Sequence, residues 1–384
     1  MDIYFDNSAT TKPYDEVIDE VSAAMKDFFG NPSSLHKLGI KSEKRLNEAR
    51  EYLSSTINAS KDEIYFTSGG SETNNLMLKG LLKPGHHLIT TAFEHQSILK
   101  TCEELEEKGV KVTYLNVDEN GMISLDDLRE SICKNTVLVS IMHVNNEMGS
   151  IQNIEEIGKI IKETSSRARF HVDAIQSYGK LPIDVKKMNI DMLSVSAHKI
   201  HGPKGIGFCY IKKGLVLNSL VKGGSQEKGL RAGTENLPAV VGMQKAAEIT
   251  MARSSENYNS LWDLKGYMIS RLNEIKDIRI NSPQTKDYSP YILNVSFRGV
   301  RAEVLLHLLE AEDIYVSTGS ACTSKSSIVQ GSYVMKSLKL SNKDIESAIR
   351  FSFSAENTKE EVDKAIEVLQ KSLMFLRRGK RWRD

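Results

Sequence analysis

Residues 63–82 read EIYFTSGGSETNNLMLKGLL, and the change of period inside this stretch governs how the rest of the chain is read. A short apolar run ends on two glycines, and a segment with helical spacing follows at once. The alternation recurs in HHLITTA (86–92) before SILKTCEELEEKG (97–109), and in KVTYLNV (111–117) before SLDDLRESI (124–132). It recurs again in TVLVSIMHV (136–144) before NIEEIGKIIKE (153–163), where Ile154, Ile157 and Ile161 share one helical face. RFHVDA (169–174), MLSVSA (192–197) and GIGFCYI (205–211) supply three further strands. Short buried strands alternating with amphipathic helices predict an α/β fold on a mostly parallel sheet. In such sheets ligands bind beyond the carboxyl ends of the strands, so polar residues just after each strand are the candidates for chemistry.

Helical stretches precede this region at about 14–28 and 34–57, and 235 to about 276 is rich in helix formers. The remainder reads as a smaller α+β unit. Its strands are ILNVSF (292–297), IYVS (314–317) and AIRFSFS (348–354), with helices over 301–312 and 358–378. The expected division is a large unit of residues 14–255 and a small unit of 1–13 with 256–384, and 384 residues are enough for both. A formal net charge of +1 gives no global attraction to nucleic acid or an anionic membrane, so neither is an expected partner. The opening MDIYFDNSATT lacks a basic segment followed by an apolar run, and no apolar stretch has membrane-spanning length. Cys102, Cys133, Cys209 and Cys322 form no CxxC pair, which argues against structural zinc or a disulfide framework and fits a reducing cytoplasm. Cys102, Cys133 and Cys209 fall in helix or strand patterns and are expected in the core; His86 and His87 are read as surface or packing residues.

Three strand ends carry distinctive chemistry. In SVSAHKIHGPKGIG (194–207) Lys199 follows a buried strand: it is a Schiff-base candidate, or a solvated turn lysine. In RFHVDAIQ (169–176) Asp173 ends a strand, with Gln176 three residues on: the carboxylate suits a pyridinium nitrogen, or caps a turn. In TSGGSETNN (67–75) Gly70 and Ser71 open a helix whose free N–H groups suit a phosphate, or form an ordinary tight turn. Occurring together at the ends of one sheet, the three describe a pyridoxal 5′-phosphate site. Two further residues stand out. Arg350 alternates with apolar Ile349 and Phe351, and its planar fork suits an amino-acid carboxylate. Cys322 sits in STGSACTSKSS (317–327), a small polar stretch read as a loop, which suits a nucleophile better than a buried thiol.

At this point the chain resembles the cysteine desulfurases of the class V aminotransferase fold, in the subgroup with a long catalytic loop. The resemblance rests on YFDNSATT, FGNPSSLH, SGGSETNN, FEHQSI, HVNNEMG, HVDAIQS, SAHKIHGPKGIG, RAGTEN, GSACTS and AIRFSFS, in that order over nearly the whole chain. It implies an aspartate aminotransferase-like large domain beside a smaller α+β domain that carries the catalytic cysteine. It further implies that Lys199 binds the cofactor covalently and shuttles protons, Asp173 pairs the ring nitrogen, Gln176 contacts the phenolic oxygen and His95 stacks on the ring. Gly70, Ser71, Ser196 and His198 would hold the phosphate, and Asn146 and Arg350 the substrate carboxylate. Thr234 would reach the phosphate of a neighbouring subunit, which implies a homodimer. Cys322 would take sulfur from L-cysteine as a persulfide, for an acceptor that is an iron–sulfur scaffold or a transfer-RNA thiolation enzyme. The chain departs from the more usual SGATES in reading SGGSET, which keeps the backbone and hydroxyl donors. Selenocysteine cleavage and transamination are the competing reactions on this fold, and a scaffold with a vestigial site is the competing non-enzymatic reading. The basic cluster of Arg377, Arg378, Lys380, Arg381 and Arg383 is read as a solvated tail or as a docking surface for an acceptor.

Overall fold

The computed structural model describes residues 2–318 and 332–378. The strands in chain order are β1 (Ile3–Tyr4), β2 (Ile64–Thr67), β3 (His87–Thr91), β4 (Lys111–Leu115), β5 (Thr136–Met142), β6 (Arg169–Asp173), β7 (Met192–Ser196) and β8 (Gly207–Ile211). After two long helices come β9 (Ile278–Ile280), β10 (Ile292–Phe297), β11 (Ile314–Tyr315) and β12 (Ala348–Ser352). Seven of them form one sheet in the order β2-β8-β7-β6-β5-β3-β4. The ladders from β7 through β6, β5 and β3 to β4 are parallel. β8 alone runs the other way, pairing antiparallel with both β7 and β2. Two reversals leave β2 pointing the same way as the parallel strands, so the strand ends singled out in the sequence all face one edge.

Every residue of β5 and β7 is buried, as continuous apolar runs covered on both faces require. The helix Ile154–Thr164 shows how one covering element is specified. The Asn153 side chain accepts from Glu156 N at its start, two glutamates occupy the first turn, and Ile154, Ile157, Ile160 and Ile161 are buried against the core. The helix Leu237–Ala252 is buried along most of its length and packs beside the helix Asp15–Asp27. The stretch expected as helix over 235–276 is two helices, Leu237–Ala252 and Ser254–Leu272, broken at Arg253.

A second apolar cluster surrounds the antiparallel sheet β12-β10-β9. Chain-terminal segments build it together. β1 pairs parallel with β11, and Phe5 lies edge-on to Phe351 and Phe353, with ring centroids 6.3 and 5.4 Å away. The helix Lys359–Arg378 buries Val362, Ile366, Leu369 and Leu373 on the same cluster. β9 and the short helix Asn342–Glu346 have no counterpart in the expectations from sequence.

Two expectations are corrected. Cys133 is exposed, whereas Cys102 and Cys209 are buried. The helix before Cys133 ends at Ser131, Ile132 turns to extended backbone, and the thiol is carried out of the helical pattern into the turn leading to β5. Arg377 is no solvated tail residue: its guanidinium donates to the carbonyls of Lys276, Asp277 and Arg298, fastening the end of the last helix to the small sheet. Lys380, Arg381 and Arg383 lie outside the described residues. His87 proves to be a packing residue, buried between the hydroxyls of Thr136 and Thr113 at 2.8 and 2.9 Å.

The edge strand β2 is covered by a buried ion pair. Arg50 and Glu227 meet in a two-pronged contact of 2.7 and 2.8 Å. Arg50 also donates to Ile64 O, and Glu227 accepts from Phe66 N, so the pair substitutes for a missing neighbouring strand. Removing one partner strands the other charge in the interior. Glu227→Ala is therefore expected to cost about 3–5 kcal/mol, read as a lowered urea midpoint.

Candidate active site

The turn between β2 and the helix Gly70–Leu81 opens the site. Gly69 has φ 142° and ψ −173°, a conformation that only glycine adopts without strain. It aims the first turn of the helix, whose N–H groups have no intrahelical partner, at the carboxyl edge of the sheet. A Cβ at Gly70 would lie 2.2 Å from Ile175 Cδ1, so the two segments approach closely and any side chain here would push the end of Ile175 aside.

Across that edge, β6 delivers Asp173 and β7 delivers Ser196, His198 and Lys199. Asp173 is buried; its Oδ2 accepts from Asn74 Nδ2 at 2.8 Å and its Oδ1 from Ile175 N at 3.0 Å. Burial pushes its carboxyl above the ordinary value, while the two hydrogen bonds and the charges of His95 and Lys199 pull the other way. Lys199 stands at the end of the short turn Ala197–Lys199, where its Nζ donates to the carbonyls of Ser8 and Ala9. His198 meets Thr10 Oγ1 at 3.2 Å, and burial beside Lys199 brings its imidazole down to about 4, so it is neutral near pH 7.

His95 caps the helix Gln96–Glu107. Its Nδ1 accepts from Ser97 N at 3.1 Å, which leaves the ring proton of the neutral imidazole on Nε2. Burial and the neighbouring Lys199 lower its pKa, with Asp173 opposing. Gln176 donates from Nε2 to Ser8 O at 3.0 Å. From the small sheet, β12 brings Arg350, whose Nη2 pairs with Asp6 Oδ1 at 2.7 Å and whose Nη1 donates to Asn146 O at 2.9 Å.

Gly70, Ser71, His95, Asn146, Asp173, Gln176, Ser196, His198, Lys199 and Arg350 thus line one cleft of about 340 Å³. Thr234 does not. It lines a separate cavity of about 250 Å³ with Gly205 and Arg231. Cys322 lies outside the described residues. The residues that sequence reasoning did not single out are Asp6, Ser8, Ala9 and Asn74. Ser8 and Ala9 act through backbone carbonyls, which leave no side-chain signature.

The cleft's donors fit pyridoxal phosphate. Ser196 Oγ, Asn146 Oδ1 and Arg350 Nε are buried with no hydrogen-bond partner among the described residues, and all three belong to residues that line this cleft, where a bound group can reach them. Ser196 stands beside the Gly69–Gly70 turn, whose helix N–H groups would suit a phosphate, and a primary amine and a buried carboxylate follow along the cleft at Lys199 and Asp173.

Residues 3–365 match the Aminotransferase class-V family. The chain is 45% identical to the cysteine desulfurase IscS of Clostridium botulinum, over 96% of this chain and 94% of that protein. It is 43% identical to the cysteine desulfurase IscS of Methanosarcina thermophila, over 98% and 93%. Among solved structures, a NifS-like protein superposes with a TM-score of 0.92 at 37% identity, covering 98% of this chain and all of that one. The apo cysteine desulfurase of Thermococcus onnurineus superposes at 0.87 and 27% identity, covering 97% and 95%. A family match across nearly the whole length, with relatives of one activity over the same span, places the chain in the class-V aminotransferase family, among its pyridoxal-phosphate-dependent cysteine desulfurases.

Proposed function

We propose that the cleft is where L-cysteine is desulfurated, with its sulfur delivered to Cys322 and from there to an acceptor protein. The observation that supports this placement is the meeting of Lys199, Asp173 and Arg350 in one cleft, although they come from β6, β7 and the opposite sheet. Gly70, Ser71, Ser196 and His198 would take the cofactor's phosphate, Asp173 its ring nitrogen, Gln176 its phenolic oxygen and His95 its face; Lys199 would hold it covalently. Bound there, pyridoxal phosphate supplies an electron sink for charge developing at the substrate α-carbon.

The protein's own groups do the rest. Arg350 and Asn146 hold the substrate carboxylate, which replaces Asp6 on the arginine fork. Lys199, released as an amine, takes the α-proton. Neutral His95, with its proton on Nε2, donates a hydrogen bond rather than a charge. The Cys322 thiolate attacks the substrate sulfur: an S–S bond forms, the carbon–sulfur bond breaks, and reprotonation at carbon gives L-alanine. The persulfide sulfur then passes to an iron–sulfur scaffold or a transfer-RNA thiolation enzyme in the cytoplasm.

A homodimer accompanies this reading. Thr234 is exposed and stands away from its own chain's cleft, as a residue serving a second subunit's phosphate would. Phe29, Leu35 and Val216 are 71%, 95% and 85% exposed, large apolar side chains that a partner subunit would cover.

Purified protein reconstituted with pyridoxal phosphate is expected to release alanine from L-cysteine and to carry a persulfide at Cys322 by mass spectrometry. Cys322→Ala should lose both while keeping the visible band of the cofactor; alanine release at an unchanged rate would overturn the role of Cys322. Arg350→Lys keeps the charge but loses the fork. It should raise KM for L-cysteine about tenfold or more with the visible band intact. Ser196→Ala is expected to weaken cofactor uptake by the apoprotein by about ten- to a hundredfold, measured by absorbance titration, since a hydrogen bond to a charged group is worth about 1.5–3 kcal/mol.

A further inference from the structure

Lys199 is reached from two sides. Besides the main cleft, it lines a second, much smaller cavity of about 20 Å³, and no other residue lines both. Behind it, in the smaller cavity, stands Lys180. Lys180 is only 9% exposed, and no carboxylate pairs with it among the described residues. Its contacts are the Oε1 of Gln176 at 3.4 Å and the face of Tyr291, 5.1 Å from Nζ to ring centroid. A buried ammonium with no counter-ion is costly, and a protein core ordinarily avoids one.

We propose that Lys180 is a positioning residue for the desulfurase reaction, setting the amide of Gln176 and standing as a second positive charge behind Lys199, so that Lys199 is favoured as the uncharged amine that accepts a proton. The inference rests on the proposed role of Lys199. The amide is set because Oε1 of Gln176 faces Lys180 and Nε2 faces Ser8 O, which leaves one orientation of the group. The electrostatic part follows from like charges in a dry setting, where each disfavours the charged form of the other. Burial and the charge of Lys199 together bring Lys180 itself down to about 7. The other titratable groups facing it do not cancel its charge. His201 and His198 are held neutral, each down to about 4, partly by Lys180, while burial pushes the phenols of Tyr14 and Tyr291 up. The turn that carries both residues is fixed by Lys180 N donating to Ser177 O and Tyr178 N to Ala174 O, at 2.9 and 2.8 Å.

The test is a pH titration of the cofactor's visible band in the reconstituted enzyme without substrate, which reports protonation of the Lys199 nitrogen. Lys180 carries its charge up to about pH 7, and over that range removing it favours the protonated form, so Lys180→Met should raise the midpoint by up to about one pH unit. Lys180→Arg, which keeps the charge, should stay near wild type. Lys180→Gln should shift in the same direction as the methionine variant and serves in its place if that variant does not fold. A merely structural role for Lys180 predicts no signed shift restored by arginine. A midpoint unmoved or lowered in the neutral variants, with the band present, would overturn this inference alone. A wild-type protein that takes up no pyridoxal phosphate would overturn the proposed function along with it.

Discussion

In a parallel ladder the strands share one direction, and their last residues therefore arrive at one edge whatever their order in the chain. β3, β5, β6 and β7 place His95, Asn146, Asp173 and Lys199 along such an edge. The antiparallel insertion of β8 preserves the arrangement, because it reverses direction twice between β7 and β2 and leaves the Gly69–Gly70 turn, the proposed phosphate site, on the same side. Had β2 paired with β7 directly and antiparallel, Ser71 would stand at the far edge of the sheet from Ser196. The geometry of the cleft is thus a consequence of strand direction first and of side-chain identity second.

Burial then gives those side chains their chemical character. Asp173, Lys180, His95 and Arg350 are charged or titratable groups in the dry part of the molecule, and each is held by directed hydrogen bonds rather than by solvent. Arg350 illustrates the economy of the arrangement. With Nη2 on Asp6 and Nη1 on Asn146 O its charge is already paired, and in the proposed role a substrate carboxylate would have only to exchange for Asp6. Under that proposal the guanidinium would be aimed before substrate arrives, which would reduce the ordering that binding requires.

Much of this was legible in the sequence because strands buried on both faces write themselves as unbroken apolar runs. TVLVSIM and MLSVS admit little else, and the residues just after them, Asn146 and Lys199, are then located to within a turn. What was not legible has identifiable causes. Ser8 and Ala9 serve through carbonyl oxygens, which any residue type could provide. Asp6 and Lys180 acquire meaning only from contacts across hundreds of residues or around a turn. The helical spacing of SLDDLRESI gives no warning that the helix stops at Ser131, so Cys133 was assigned to a core it does not enter. β9 is three residues long and only half-buried, too short to register a period. The role expected of Thr234 depends on a second copy of the chain, and so no reading of one copy displays it.

The segment around Ser8 has a bearing on how the molecule comes to be assembled. Ser8 and Ala9 receive Lys199, and Ser8 also receives Gln176, so this part of the cleft joins residues from the middle of the chain to its first few. The neighbouring Asp6 waits for Arg350, which lies 344 positions further on, and Ser352 secures the same segment through the backbone and side-chain amides of Asn7 and the backbone of Ser8. A ribosome emitting this chain in order can present the phosphate turn, the lysine and the aspartate long before it presents the arginine. The segments around Gly70, Asp173 and Lys199 are thereby available to a nascent chain well before Arg350 is made, and the cleft they line is completed only once that arginine arrives.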